Sequence, residues 1–355
     1  FLVEVIPKLK DDFQITVIAP DFSGENKGNI PGVKIIRVPL MKKTFGDYTP
    51  ARIDLSLIKQ HVKDSDIVWS QTIGSIGAPA IYYGKKYKKH VVSYIHSLEW
   101  NLVTKAISPP RFFEEFFKIP IKRFAKILYN KCELLMIPHI EIASEFKQKG
   151  INTKTEVVKL GVNVEKFVPP QEKSIVKKAL GLDPNKVTIG YVGRIGREKD
   201  VLTLYKGFKK LQQIHPNVQL LVVGIGVKEV ENVLKKDPSV KLAGNQNNVV
   251  PYYQALDIYV LPSLLETTSL TTLEAMSCGV ACLVTPVGYV KEYIKRGYNG
   301  LFFPRKNPYV LVKKLEILLD NNLRNRLGRN ARKTVVEKFS WEQTTTKIKE
   351  SLLKL

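Results

Sequence analysis

Apolar positions along this chain follow two alternating rhythms. Short continuous runs at residues 14–19, 33–38, 67–70, 91–95 and 134–137 read as strands buried on both faces. Between them, spacings of three and four residues predict helices, among them 1–9 (through Leu2, Val5, Ile6 and Leu9), 50–62 and 76–86. The second half repeats the rhythm, with strands expected at 187–192, 219–223, 240–242, 258–261 and 281–284 and a short extra run at 301–303. Beyond Pro308 two helices reach to about Phe339, and Ser340-Trp341-Glu342 caps a last one. Alternation of this kind predicts an α/β protein with mostly parallel sheets covered by helices on both faces. Pro169 and Pro170 stiffen a linker at 167–173, which divides the chain into 1–168, 169–338 and a terminal helix at 339–355. The chain opens on a helix, where a doubly wound domain would open on a strand and a tight loop. That order suggests a shortened or fragmentary first domain.

Two stretches carry chemistry. The strand at 258–261 runs into Pro262 to Gly279, where Glu266 sits in a Thr- and Ser-rich loop and Glu274 lies one turn into a short helix. The helix N-terminus near Thr268, Ser269 and Leu270 offers free backbone N–H groups and the positive end of a dipole, which suits a phosphate. Carboxylates beside it would take hydroxyls of an attached sugar and ribose. The same residues also support a blander reading, because Thr271 and Glu274 have the spacing of a capping box. Upstream, the strand at 187–192 ends in a glycine-rich turn with Gly193, Arg194, Gly196 and Lys199. Glycines admit close backbone approach, and the two cations can clamp a diphosphate. Cations and paired carboxylates at strand C-terminal edges of one α/β half strengthen the phosphate reading.

These residues resemble the family 4 glycosyltransferases of GT-B fold, the retaining group that includes many mannosyl- and glucosyltransferases. Glu266 and Glu274 match the family's E-x7-E motif, and Tyr191-Val-Gly-Arg-Ile195 its phosphate-loop strand. Gly224-Ile-Gly226 after a second strand and Lys159-Leu-Gly-Val-Asn163 ahead of Phe167 also match. Thr267-Thr268-Ser269 stands where the family often has Gly-Phe-Gly, Leu160 replaces the Asn of its Asn-Gly-Val-Asp, and Gly288-Tyr289 replaces a Gly-Gly pair. The resemblance implies two Rossmann-like domains facing each other across a cleft. The first lies on the acceptor side with its opening strand missing, the second binds the nucleotide sugar, and the final helix crosses back to the first. It implies catalytic roles for Arg194, Lys199, Glu266 and His96. Donor contacts would come from Gly193, Gly196, Gly224, Gly226, Gly244, Asn245, Thr268, Ser269, Leu270 and Glu274, with Gly244 and Asn245 under the base. The reaction it implies moves a hexose from a nucleotide diphosphate sugar to a hydroxyl, with retention, no cofactor and no metal. Two alternatives share the fold: a nucleotide-sugar epimerase and a non-catalytic sugar-nucleotide-binding module.

Composition changes the picture in one respect. Apolar content of 44% and charged content of 25% are ordinary for a globular protein, but the formal net charge is +23. An anionic membrane surface is the first reading of that excess, ahead of compositional bias. Nucleic acid ranks a distant third, because no zinc spacing or RNA-binding aromatic strand accompanies it. Segment 111–129 fits a membrane: Phe112, Phe113, Phe116, Phe117, Ile119, Ile121, Phe124, Ile127 and Leu128 alternate with Lys118, Lys122, Arg123 and Lys126. A break at Pro120 would let its first part splay outward; a core-facing helix with a solvated lysine face fits equally. A lipid-linked acceptor or a cell-surface glycan precursor follows from the membrane reading. Cys132, Cys278 and Cys282 form no disulfide framework, which suggests a reducing, cytoplasmic setting; the membrane reading would put the chain peripherally on the inner face of the cell membrane.

The remaining candidates are weaker. Without the resemblance, His96 would be a strand-end histidine bonded to backbone; Glu99 and Trp100 follow it in a loop that could meet the acceptor. Asp64-Ser-Asp66 has the form of a metal motif but sits where acidic residues form turns. Tyr252 and Tyr253 read as packing residues, His215 as structural, and Arg324, Arg326, Arg329 and Arg332 as a solvated helix face.

Overall fold

The computed structural model describes residues 1–22, 29–42, 49–96, 98–100 and 114–355, and the chain divides into two compact units. Unit 1 comprises Phe1–Lys159 with Thr344–Leu355, and unit 2 comprises Leu160–Gln343.

In unit 1, β1 (Thr16–Pro20) and β2 (Lys34–Val38) pair in parallel, while β3 (Ile67–Ser70), β4 (His90–Tyr94), β5 (Leu134–Ile137) and β6 (Lys154–Val157) form a parallel four-stranded sheet in sequential order. Its helices are α1 (Leu2–Leu9), α2 (Leu55–Lys63), α3 (Gly77–Lys86), α4 (Glu114–Tyr129) and α5 (Glu141–Gln148). Ile58, Ile81, Val91, Ile95, Tyr129, Leu135 and Phe146 belong to one buried cluster. Strand β6 escapes the pattern reading because Lys154-Thr-Glu-Val has no continuous apolar run. The helix expected from residue 50 starts at Leu55. Ala51 instead bridges Leu40, and the Asp54 side chain caps the helix by accepting the Leu57 N–H at 2.9 Å.

Helix α4 corrects the expected break at Pro120. It runs through the proline as one helix of 16 residues, with Pro120 on its exposed side where water can satisfy the carbonyl that loses its partner. Arg111, Phe112 and Phe113 lie outside the described residues.

Unit 2 holds a six-stranded, fully parallel sheet: β7 (Val187–Val192), β8 (Val218–Val223), β9 (Val240–Leu242), β10 (Ile258–Leu261), β11 (Ala281–Val284) and β12 (Gly300–Phe302). Their spatial order is β12-β11-β10-β7-β8-β9. The strands of this sheet are almost wholly apolar because helices cover both faces. Those helices are α6 (Lys173–Ala179), α7 (Val201–Ile214), α8 (Lys228–Lys235), α9 (Val250–Ala255), α10 (Leu270–Ser277), α11 (Val290–Tyr293), α12 (Pro308–Ile317) and α13 (Asn321–Lys338). The chain leaves β7 outward through β8 and β9, then returns to place β10 on β7's other side. The β7–β10 junction is therefore a switch point, where loops leave neighbouring strand ends in opposite directions and open a crevice.

The arginine stretch on α13 does not form one solvated face. Arg324 donates to the carbonyls of Leu318 (2.7 Å) and Leu319 (2.6 Å) beyond the end of α12, and Arg332 donates to Phe167 O at 3.0 Å and to Ser277 O at the end of α10. Helix C-termini expose such carbonyls and favour cations. Arg326 and Arg329 are the exposed pair. The last helix, α14 (Trp341–Leu352), belongs to unit 1 from Thr344 onward. There Thr344 donates to Lys159 O at 2.8 Å, and Lys347 and Lys349 pair with Glu156 and Asp12 at 2.6 and 2.5 Å. No described helix is long and apolar enough to cross a membrane.

Candidate functional site

At the β7 end of the switch point, Gly193 takes φ +146° and its N–H donates to Val223 O. A Cβ at Gly224 would lie 2.0 Å from Gly193 O, and one at Gly226 would lie 2.3 Å from Ile195 O. These two glycines let the loops after β7 and β8 lie backbone against backbone, a structural use of positions expected at the donor. Arg194 comes next, its main-chain carbonyl fixed by the Tyr191 hydroxyl at 2.8 Å. Its guanidinium donates to the Glu198 carboxylate one turn on. The residues Arg197–Lys199 form a 3₁₀ turn that ends on Asp200 at φ +49°.

That turn is stapled to the loop after β10 at two points. Leu264 N–H donates to Glu198 O at 2.8 Å, and Lys199 Nζ lies 2.7 Å from Glu266 Oε1. Ser263 donates to the same carboxylate oxygen at 2.7 Å. Gly288 matters here, because a Cβ on it would stand 2.0 Å from Glu266 O. Lys199 and Glu266 are thus paired directly at the C-terminal ends of β7 and β10, and Arg194 is tied to the same turn through Glu198.

Glu274 stands on α10, the helix that follows this loop. Ser269, not Thr271, caps that helix: its hydroxyl accepts the Thr272 N–H at 3.3 Å, while Thr271 meets the Tyr259 hydroxyl at 2.8 Å. The cap therefore lies two residues before the expected Thr271. Glu274 accepts the Tyr253 hydroxyl at 2.7 Å. Tyr253 is fully buried and packs edge-on to Phe167, with ring centres 5.8 Å apart. Burial first, then the adjacent carboxylate, pushes its phenol well above the ordinary tyrosine value. Reading Tyr253 as packing alone missed its polar end, and a tyrosine on a helix beside an acid-bearing helix was the available signal.

The other expected donor positions are less bound up. Thr268 Oγ1 is buried with no hydrogen-bond partner, in the loop between Glu266 and the cap. Leu270 packs partly against the core of unit 2. Gly244, at φ +67°, has open space around its missing Cβ and accepts the Gly224 N–H at 2.7 Å; Asn245 beside it is exposed. At Gly196 an added Cβ would stand 2.5 Å from both Glu198 carboxylate oxygens.

His96 belongs to unit 1, past the C-terminal end of β4. Its Nε2 lies 2.8 Å from Gln71 Oε1, and its ring packs on Tyr94 and Phe1 at 4.6 and 4.8 Å. Burial lowers its pKa to about 4, so the imidazole is neutral at pH 7. The expected backbone bond is absent among its described hydrogen bonds, which run to a side-chain amide. Trp69 Nε1, Gln71 Nε2 and Ser93 Oγ are buried nearby in sequence and sheet without partners. Glu99 accepts the Tyr129 hydroxyl, its second oxygen is buried without a partner, and burial pushes its pKa up to about 7.

Comparison with known proteins covers both halves. Residues 172–334 match the family described as glycosyl transferases group 1, and residues 2–166 match glycosyltransferase family 4. An Escherichia coli UDP-Gal:alpha-D-GlcNAc-diphosphoundecaprenol alpha-1,3-galactosyltransferase is 30% identical over 208 residues, 56% of this chain and 53% of that protein. The Staphylococcus aureus capsular polysaccharide biosynthesis glycosyltransferase CapM is 31% identical over 196 residues, 52% and 51% of the two chains. The chain spans about half the length of the curated relatives it matches. Among solved structures, Anabaena HepE in complex with UDP-glucose is similar with a TM-score of 0.77 at 18% identity, over 100% of this chain and 95% of that one. At that identity the likeness establishes the fold alone.

Proposed function

We propose, from the premise that this chain belongs to the family 4 glycosyltransferases and has their GT-B fold of two Rossmann-like units, that it moves a hexosyl group from a uridine diphosphate sugar to a hydroxyl acceptor. The observation that carries this reading is that two ion pairs, Arg194–Glu198 and Lys199–Glu266, stand on consecutive loops at the β7–β10 switch point, with the backbone of Glu198 bonded to Leu264 between them. Uridine is favoured because the galactosyltransferase relative, 30% identical over 208 residues, is named for UDP-Gal.

In the proposed reaction the bond from the anomeric carbon to the diphosphate breaks with its electron pair going to phosphate. The acceptor oxygen bonds to that carbon on the same face, and its proton passes to the departing phosphate. Anomeric configuration is retained. Charge accumulates on the leaving diphosphate, and Arg194 and Lys199 take it up in place of a metal ion. Glu266 holds sugar hydroxyls, and Glu274, steadied by Tyr253, holds the ribose.

The acceptor side is proposed to be lipid-linked, with the protein on the anionic cytoplasmic face of a membrane. Helix α4 supports this. Phe116, Ile119, Phe124 and Ile127 are 70%, 49%, 47% and 59% exposed. At about 100° per residue they share an arc of roughly 140° with Arg123, while Ile121, Ala125, Leu128 and Tyr129 turn inward. Exposed aromatics beside basic groups suit an anionic headgroup layer.

A thermal-shift series with UDP, GDP and ADP tests the donor, since a ligand of the folded state raises the melting temperature. UDP should give the largest rise, and no rise with any of the three would remove the donor site. Lys199→Ala should lower turnover about 10²- to 10³-fold; unchanged turnover would remove the clamp. Formation of a new sugar nucleotide without acceptor would indicate an epimerase instead. Flotation with anionic vesicles at low salt should recover the protein, and Phe124→Ser with Ile127→Ser should abolish it.

A further inference from the structure

Both cations of the site already carry a carboxylate. Lys199 holds Glu266, which the sugar-binding role absorbs, but Glu198 has no part in the proposed chemistry. It is nonetheless held at several points. Its carboxylate accepts from Arg194, its oxygens fill the space that only a glycine at 196 leaves open, and its carbonyl accepts the Leu264 N–H at 2.8 Å. Glu198 is 21% exposed and Arg194 54% exposed, so the acid sits on the inner side of the pair and the guanidinium faces outward.

We infer that Glu198 is a resident competitor for the phosphate at Arg194, a positioning residue that keeps the guanidinium aimed in the empty site and weakens its hold on any anion. This rests on the reading of Arg194 as a diphosphate ligand. A carboxylate and a phosphate seek the same planar N–H fork, so an incoming diphosphate must share or displace Glu198. A bare phosphate has only charge to offer and is disfavoured most. A nucleoside diphosphate also has ribose and base contacts and still binds. The same competition speeds departure of the nucleoside diphosphate product once the sugar has gone.

The experiment is a binding cycle on the full chain, with UDP and inorganic pyrophosphate titrated by calorimetry into wild type, Glu198→Gln, Arg194→Ala and the double variant. Glu198→Gln should tighten UDP by about twofold to fivefold, the range expected for a half-exposed ion pair, and pyrophosphate by at least as much. It should lower KM for the donor without raising kcat. Arg194→Ala should weaken UDP, and Glu198→Gln added to it should change nothing. If Arg194→Ala weakens UDP while Glu198→Gln weakens it too or leaves it unchanged, the competitor role is overturned and the phosphate reading stands. If Arg194→Ala leaves UDP affinity unchanged, the phosphate reading itself fails. Glu198→Asp, which withdraws the carboxylate by one methylene, should tighten UDP in the same direction and serves if Glu198→Gln does not fold. Weakening by Glu198→Asp overturns the proposal equally.

Discussion

The candidate site groups of the two units are partnered in opposite ways. In unit 2, Asp257 meets Lys177 and Lys173 at 2.6 and 3.1 Å, Glu266 meets Lys199, and Glu198 meets Arg194. Each of these acids has an opposite charge beside it. In unit 1, Glu99 meets a tyrosine hydroxyl and His96 an amide, and desolvation moves both pKa values toward the neutral form. Counter-charges hold charged side chains in fixed positions, as a phosphate site requires. With neutral partners, burial brings the Glu99 pKa to about 7 and keeps His96 neutral at pH 7. The unit 2 site groups are thus arranged to hold charge, and His96 and Glu99 of unit 1 to favour the neutral form.

The largest test of this contrast is Asp257→Asn. Asp257 also accepts the Thr188 N–H at 2.8 Å, and Lys177, only 4% exposed, would keep its charge with Lys186 O as its remaining bond. Removing one partner of a buried pair should cost about 3–5 kcal/mol, read as a lower denaturant midpoint for unit 2. Burial pushes the Asp257 carboxyl up, but Lys173 and Lys177 outweigh it and hold the group below the ordinary aspartate value. Its stabilising contribution is therefore present above that ordinary value and is lost as pH falls through the lower folded value. An unchanged midpoint would show that the pair does not anchor the sheet.

Unit 1 should show the reverse. The Glu99 pKa is raised from 4.5 to about 7, so its contribution is full below 4.5 and about 3 kcal/mol is lost as pH rises through 7. The His96 pKa is lowered from 6.5 to about 4, so its contribution is full above 6.5 and is lost as pH falls through 4. Between 4.5 and 6.5 the two slopes oppose, and the wild-type stability profile of unit 1 should be nearly flat there. Glu99→Gln should expose the histidine slope, with stability falling on acidification. His96→Gln should expose the glutamate slope, with stability falling as pH rises. Parallel profiles for all three proteins would mean that neither group is desolvated as placed.

Sequence and structure part company along the same line. Alternating apolar runs located nearly every strand of the three sheets, because a strand covered on both faces must be continuously apolar. The edge strand β6 and the α13 arginines were misread for a shared reason. A polar strand at a sheet margin looks like loop, and an arginine that folds back onto helix-end carbonyls looks like one in solvent. At the site, the glycine-rich turn and the two glutamates were visible as residue types at strand ends. Their pairing was not, since Arg194–Glu198 and Lys199–Glu266 depend on which rotamer each side chain adopts across a turn that pattern does not describe. Glu198 was invisible for that reason: it looks like any surface acid between two cations.

Glu274 supplies the finest test, because there unit 2 adopts the habit of unit 1. A phenol, Tyr253, donates to this carboxylate, and the phenol is itself buried against Phe167. Tyr253→Phe removes one hydroxyl and keeps the ring, so packing should change little. A lost hydrogen bond to a charged group costs about 1.5–3 kcal/mol when the acceptor is left dry, and about 1 kcal/mol when water or a ribose hydroxyl replaces the donor. If Glu274 faces the donor, the ribose itself can replace the phenol, and the smaller figure applies. KM for the donor should then rise about fivefold with kcat almost unchanged, since ribose contacts act equally in ground state and transition state. A kcat loss as large as the KM rise would instead place Glu274 among the groups that act only at the transition state. Stability loss without any change in KM would place it in the core, with Tyr253 as nothing more than its buried partner.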